Sequence, residues 1–345
     1  MSQLSCLSDL PHVVEHLPPA FLSASARALH DVLPGPTLIH LPGVKPRPVF
    51  VSVLLHGNED VGLLALQLVL AKYGDRPLPR ALSIFVGNVE AARAGVRRLD
   101  DQPDYNRIWP IAAPATPHQR MAVRVVEAMR AREVFLAIDL HNNSGRNPLY
   151  SCLSATGAEH LRLARMFSPL AVLIQAPLSL SAAFTPICPT VCCECGEIGN
   201  VEGVAQAATL IERCLADDFG DGTAHDDVKA LDIFQAFAML KVAEGLTLSV
   251  DGAAADLQLP PEIESFNFRT LEPGQVIATT PSHPETEPLR AYRLDGEAIA
   301  GMLVRNGSEV CLSMHAVAAM FTRDLRAIRQ DCLGYLMQRV PVQTL

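Results

Sequence analysis

Clustered positive charge is what this 345-residue chain most lacks: 28 lysines and arginines stand against 37 aspartates and glutamates, a formal net charge of −9 with histidine neutral. Phosphate backbones are held by clustered cations, so the balance argues against a nucleic-acid surface. Long apolar runs are also missing. The stretch Leu63 to Ala71 is broken by Gln67 and falls well short of the roughly 18 residues that a membrane span needs. Where a secretory signal has a basic start and then an unbroken apolar run, the first thirty residues carry Asp9, Pro11, Glu15, Pro18 and Pro19. A cytoplasmic location without membrane contact is therefore expected. The nine cysteines, at positions 6, 152, 188, 192, 193, 195, 214, 311 and 332, are an odd number scattered along the chain and form no disulfide framework. In a strand Cys192 would face away from Cys193 and Cys195, so buried reduced thiols are expected there rather than a metal cluster.

What is present is core material. At 49% hydrophobic, 19% charged and 5% aromatic residues, the composition is that of a globular protein whose length admits two domains. Val49 to Leu55 is a nearly continuous, β-branched apolar run, as expected of a strand covered on both faces. It meets His56-Gly57-Asn58-Glu59, where Asn58 suits an N-cap, and a buried helix is predicted over Val61 to Ala71, ending near Gly74.

The alternation continues with a strand over Ala81 to Val86, a helix over Pro117 to Arg132 and a strand over Val134 to Leu140 that ends at His141. Such alternation means an α/β layer fold. Ala171 to Gln175 and Pro189 to Cys195 are further strand candidates. Asn200 is predicted to cap a helix with Val201, Val204, Ala205, Ala208, Ile211 and Leu215 on its apolar stripe. After the acidic stretch Asp217 to Asp227, short apolar runs are broken by turns such as Pro273-Gly274 and Asn306-Gly307. An α/β domain over 1–225 is predicted, then a β-rich domain over 226–345 with a closing helical segment from about Ala316 to Arg339.

His56 and Glu59 lie three apart at the carboxyl end of a buried strand, with Gly57 letting the backbone bend between them. A catalytic zinc ion commonly takes two histidines and a carboxylate. In open α/β sheets functional groups gather at the carboxyl ends of strands, which is where His141 stands. A lone histidine beside a strand end is more often a hydrogen-bonded structural group than a ligand, but two such histidines with an intervening acid shift that balance.

Four ordered motifs resemble the succinylglutamate desuccinylase/aspartoacylase family, relatives of the zinc carboxypeptidases. His56-Gly57-Asn58-Glu59 resembles its H-G-N-E, and Asp139-Leu140-His141-Asn142 its D-L-H-N. Gly87-Asn88-Val89-Glu90-Ala91-Ala92, followed by Arg98-Leu99-Asp100 and Asp104-Tyr105-Asn106-Arg107, is similar to G-N-x-x-A and R-(Y/F)-x-D-x-D-x-N-R. Glu194-Cys195-Gly196 is similar to E-x-G.

The resemblance implies a zinc-carboxypeptidase-like mixed sheet flanked by helices, with a smaller β-rich C-terminal domain. It implies one zinc ion per chain, held by His56, Glu59 and His141. Glu194 is then the catalytic base with Glu197 as second choice, Arg98 stabilises the oxyanion, and Asn106 and Arg107 hold a substrate carboxylate. Asp139 shares a strand face with His141 and suits equally the orienting of that ligand or a hydrogen bond to a nearby turn.

The implied activity is hydrolysis of the amide bond of a small N-acyl amino acid or related carboxylate-bearing amide. A metallocarboxypeptidase acting on peptides and a non-catalytic zinc-stabilised binding protein share the ligands, and a homo-oligomeric state is left open. The chain departs from the family pattern in one extra residue between Arg98 and Asn106, in Leu99 at the aromatic position, and in the lack of arginine over Ala182 to Ile187.

Overall fold

The computed structural model describes residues 9–109, 113–217, 230–281 and 287–341. Cys6, the predicted boundary at 225/226 and most of the acidic stretch before it lie outside these residues. The chain divides into two compact units, the first comprising Met1–Asn142, Leu149–Ala171 and Ala176–Leu231. Its elements in chain order are β1 (His12–Val14), β2 (Thr37–Leu41), β3 (Gly43–Val53), α1 (Val61–Tyr73), β4 (Leu78–Val86), α2 (Val89–Ala94), α3 (Pro117–Ala131), β5 (Leu136–Asn143), β6 (Tyr150–Leu153), α4 (Ala158–Phe167), β7 (Leu170–Leu173), α5 (Leu180–Phe184), β8 (Thr190–Glu197) and α6 (Val201–Ala216).

The strands run in the order β1-β2-β4-β3-β5-β8-β6. At the centre β4, β3 and β5 are parallel, whereas β2 on β4 and β6 on β8 are antiparallel. The sheet is mixed and flanked by helices, as the resemblance implies. Parallel strands are covered on both faces, and β5 is buried at every position. That is why the central strands stand out in the sequence as apolar runs.

β3 nevertheless begins at Gly43, earlier than the predicted Val49. Its first half pairs with β4 alone and alternates in exposure, and β5 joins only from Val49. Helix α1 ends at Gly74 as predicted, but its N-cap is Asp60, not Asn58. Asn58 sits inside a turn closed by Glu59 N–H donating to His56 O at 3.1 Å, and the Val61 N–H is satisfied by Asn142 Oδ1 at 3.2 Å. The cap therefore comes from a distant strand.

Helix α3 has Thr116 and Gln119 in a reciprocal capping box, and Asn200 caps α6 as expected. The stripe of α6 is rotated from the predicted one: Val201 is 81% exposed and Ala205 is exposed, while Gly203, Ala207, Ile211 and Cys214 are buried. Gly203 is the reason. Any Cβ there would stand 1.9 Å from Cys195 O, so the missing side chain lets the helix pack directly on β8.

The second unit comprises Asn143–Pro148, Val172–Gln175 and Asp232–Leu345 and is β-rich, as expected. Strand Asp232–Val242 pairs antiparallel with Leu289–Tyr292 and Gly334–Val340, and the latter pairs with Ala316–Ala319. A separate five-stranded sheet contains Val276–Thr279 and Glu309–Leu312. Leu240, Ile263, Ile277, Leu312, Phe321 and Leu336 belong to one core shared by both sheets of this unit.

The closing helical segment predicted from Ala316 to Arg339 is not there. Strand Ala316–Ala319, one short helix α7 (Leu325–Gln330) and strand Gly334–Val340 take its place. Cross-strand pairing of Ala318 with Leu336 and burial of both outweigh local helix preference. Among the described residues no helix is long and apolar enough to cross a membrane. Their eight cysteines are all free and buried.

Candidate metal centre

The turn after β3 is built under constraint. Leu54 has φ +54°, a left-handed conformation that costs a branched side chain of order 1–3 kcal/mol. It is held by Asn88 N–H donating to Leu54 O at 2.6 Å. Gly57 lies so close to α2 that a Cβ would meet Ala92 N at 2.1 Å. These contacts aim His56 and Glu59 inward, both buried, and β5 delivers His141 from its interior rather than from its end.

The three side chains converge, each offering one ligand atom within 4.8 Å of the others. His56 Nδ1 stands 2.8 Å from Glu59 Oε1, and His141 Nδ1 stands 2.8 Å from Glu59 Oε2. Each far ring nitrogen is backed by a carboxylate: His56 Nε2 by Asp104 Oδ1 at 3.1 Å and His141 Nε2 by Asp139 Oδ2 at 2.9 Å. Outer carboxylates of this kind fix the tautomer and ring orientation of metal-binding histidines.

Electrostatics follow the geometry. Burial and Arg97 push the His56 imidazole down, but the carboxylates of Glu59 and Asp104 outweigh them and raise it. Burial likewise opposes the charged form of His141, yet Asp139 and Glu59 lift it well above its ordinary value. Glu59 resists its own burial through His56 and His141 and stays below the ordinary carboxylate range. The set suits a divalent cation: two imidazoles and one carboxylate are a catalytic zinc donor set. His56 Nδ1 is also buried without a hydrogen-bond partner among the described residues, despite its approach to Glu59. An orphaned, inward-facing imidazole nitrogen is what an ion would satisfy.

Around this cluster the structure places the other predicted residues unevenly. Asn106 is there: its Nδ2 lies 3.3 Å from His141 Nε2, and its Oδ1 accepts the Leu180 N–H at 3.0 Å. Arg107 adjoins it, with Nη1 donating to Asn106 O at 2.9 Å. Glu194 is buried on β8, and that burial pushes its carboxyl up to about 7, with Glu59 adding to the rise and His141 opposing it. Glu197 is exposed at the strand end.

Arg98 points away from the cluster, donating to Gln102 O at 3.0 Å and Leu99 O at 3.4 Å within its own loop. The guanidinium that reaches the cluster is that of Arg97, which donates to Asp104 Oδ2 at 2.9 Å and Glu59 Oε1 at 3.4 Å. Arg97 and Asp104 went unassigned in the sequence. The extra residue between Arg98 and Asn106 loosened the alignment of Arg98 without pointing to Arg97, whereas Asp104 lay inside the Asp104-Tyr105-Asn106-Arg107 motif.

Solved structures share this architecture. A succinylglutamate desuccinylase/aspartoacylase from Rhodobacter sphaeroides superposes with a TM-score of 0.56 over 87% of this chain and 88% of that one, at 15% identity. Murine aminoacylase 3 gives 0.54 over 86% and 96%, also at 15% identity. The fold is that of the succinylglutamate desuccinylase/aspartoacylase family. A succinylglutamate desuccinylase from Chromobacterium violaceum agrees, with a TM-score of 0.53 over 86% of both chains at 16% identity.

In sequence the likeness is more local. The succinylglutamate desuccinylase of Burkholderia orbicola is 35% identical over 91 residues, 26% of this chain and 26% of that protein. The same share and identity hold for the Burkholderia cenocepacia desuccinylase. The match thus spans about a quarter of these curated relatives, and no family model matches the chain. The His56–Glu59–His141 cluster is carried within this desuccinylase/aspartoacylase fold by β5 and by the turn between β3 and α1.

Proposed function

We propose that the chain is a zinc-dependent hydrolase that cleaves the amide bond of a small N-acyl amino acid or related carboxylate-bearing amide. The observation that carries this reading is the convergence of His56 Nδ1, Glu59 and His141 Nδ1, each histidine backed by its own carboxylate. The names of the curated relatives and of the structural neighbours, desuccinylase and aminoacylase, are those of deacylases.

His56, Glu59 and His141 would hold the ion. Bound there, zinc supplies Lewis acidity that makes a water nucleophilic at neutral pH. Glu194 takes a proton from the attacking water on its carboxylate and returns it to the departing amine nitrogen. A carboxyl near 7 suits both transfers, because proton shuttles work best with a pKa near the operating pH. The oxyanion role expected of Arg98 passes to Arg97, whose guanidinium is already in the cluster. Asp104 and Glu59 hold it in place, so little reorganisation accompanies charge development. Asn106 and Arg107 bind the substrate carboxylate, for which the planar guanidinium offers two parallel charge-assisted hydrogen bonds.

The test is a panel of N-acyl amino acids with zinc-loaded protein. Glu194→Gln should keep one equivalent of zinc and lose hydrolysis by about 10²–10⁴-fold, the usual contribution of a positioned base. His141→Ala should lose the metal. Unchanged turnover in Glu194→Gln rejects the base, and full zinc binding in His141→Ala rejects the ligand set.

A further inference from the structure

A second group of side chains able to hold a metal stands beside the first, and its two cysteines have no role in the proposed hydrolysis. Cys152 on β6 and Cys192 on β8 are directly opposed in the antiparallel register, and Glu194 follows two residues along the same face of β8. One ligand atom from each of Cys152, Cys192 and Glu194 lies within 4.8 Å of the other two. Cys192 belongs to another such set with Asp139 and His141. Asp139 is fully buried, and its Oδ1 has no hydrogen-bond partner among the described residues.

We propose that Cys152, Cys192 and Glu194, with Asp139 at their edge, form a second cation site, one selective for thiophilic ions such as Cd²⁺ or excess Zn²⁺, whose occupation blocks the base. Two sulfurs and a carboxylate select soft or borderline ions over magnesium or calcium. Accessibility separates this pair from the other β8 thiols: Cys152 and Cys192 are 5% and 8% exposed and Glu194 is 8% exposed, while Cys193 and Cys195 are fully buried. Without metal the thiols are protonated: the hydrogen bond between them lowers Cys152, but burial and the Glu194 charge outweigh it, while the same hydrogen bond and burial raise Cys192 well above the ordinary thiol range. Binding is then an exchange without redox change. A divalent ion forms two metal–sulfur bonds, two S–H bonds break, and both protons leave to solvent. The ion also engages the Glu194 carboxylate, so the group proposed to shuttle protons is withdrawn. That last consequence rests on the hydrolase reading, whereas the site itself does not.

The test is a Cd²⁺ titration of zinc-loaded protein, followed by thiolate-to-metal charge-transfer absorption. The His56–Glu59–His141 set contains no sulfur, so displacement of zinc from it gives no such signal. One equivalent of Cd²⁺ is expected to produce the absorption and to release protons to a pH indicator. Cys152→Ala/Cys192→Ala should abolish the signal, and Cys193→Ala should retain it. Glu194→Gln should keep the absorption while weakening Cd²⁺ binding at least tenfold. Should the double variant fail to fold, Cys152→Ala alone still decides, because it removes one of two sulfurs and should roughly halve the absorption. No thiolate absorption in the wild type, or full absorption in the double variant, overturns the site. Activity is read separately: Cd²⁺ should inhibit the wild type and spare the double variant, and equal inhibition of both overturns the blocking role. If the protein hydrolyses none of the amides offered, the proposed function fails while the absorption still decides the site.

Discussion

Replacing Glu194 by glutamine separates its chemistry from its energetics. Burial lifts this carboxyl from 4.5 to about 7, and each unit corresponds to about 1.36 kcal/mol. Ionised Glu194 therefore costs the metal-free fold about 3 kcal/mol. Between pH 4.5 and 7 the folded state binds a proton that the unfolded state has released, so stability falls as pH rises through that window. The contribution is fully present below pH 4.5 and lost above 7. Glutamine has nearly the same shape and never ionises. Protein treated with a chelator is the right sample, because a nearby cation favours the carboxylate. In urea unfolding, the wild type should lose about 2–3 kcal/mol more than Glu194→Gln between pH 5 and pH 8. Parallel stability curves for the two proteins would refute the reasoning, since Glu194 would then ionise in the folded state as it does in the unfolded chain.

Arg97→Ala should lower kcat by about 10²–10³-fold, and Arg98→Ala, which gives up only loop carbonyls, should lose about 1 kcal/mol of stability with kcat/KM near wild type; steady-state kinetics of both variants will show whether the two roles are reversed. Gly57→Ala places a Cβ 2.1 Å from Ala92 N and should destabilise by about 1–3 kcal/mol, as overpacking does, and weaken zinc binding because the same turn carries His56 and Glu59; a zinc titration alongside urea midpoints checks both. Thr116→Ala removes half of a capping box far along the chain from the site and should cost about 1 kcal/mol while leaving zinc stoichiometry and turnover intact, as calorimetry and metal analysis can show.

Which parts of the molecule could be read in advance follows from the range of the forces involved. β3, β4, β5 and β8 stand out because strands covered on both faces must be apolar almost throughout, and α6 because Asn200 caps it locally through Gly203 N–H. α1 was legible in extent but not in its cap, since the group that satisfies Val61 N–H is Asn142, eighty-one residues away. The C-terminal stretch misled for a related reason. Ala316–Ala319 and Gly334–Val340 have compositions a helix would tolerate, and only pairing with each other and with Asp232–Val242 makes them strands. In the site, the separated motifs already held His56, Glu59 and His141, and neighbouring arginines already stood at 97 and 98. Which of the two enters was settled by the path of the loop, where Arg97 O accepts the Gly57 N–H at 3.0 Å.

The amino-acid sequence by itself determined the α/β alternation, the β-rich C-terminal part and the identity of the two histidines and the glutamate, because periodicity and short motifs are local properties of the chain. The tertiary structure alone decided that Arg97 rather than Arg98 joins them, that Asp104 backs His56, and that Cys152 meets Cys192 beside Glu194. Those are contacts between residues far apart in the chain or turned by one position. Their existence depends on strand register and loop path, which are set by the packing of the whole sheet.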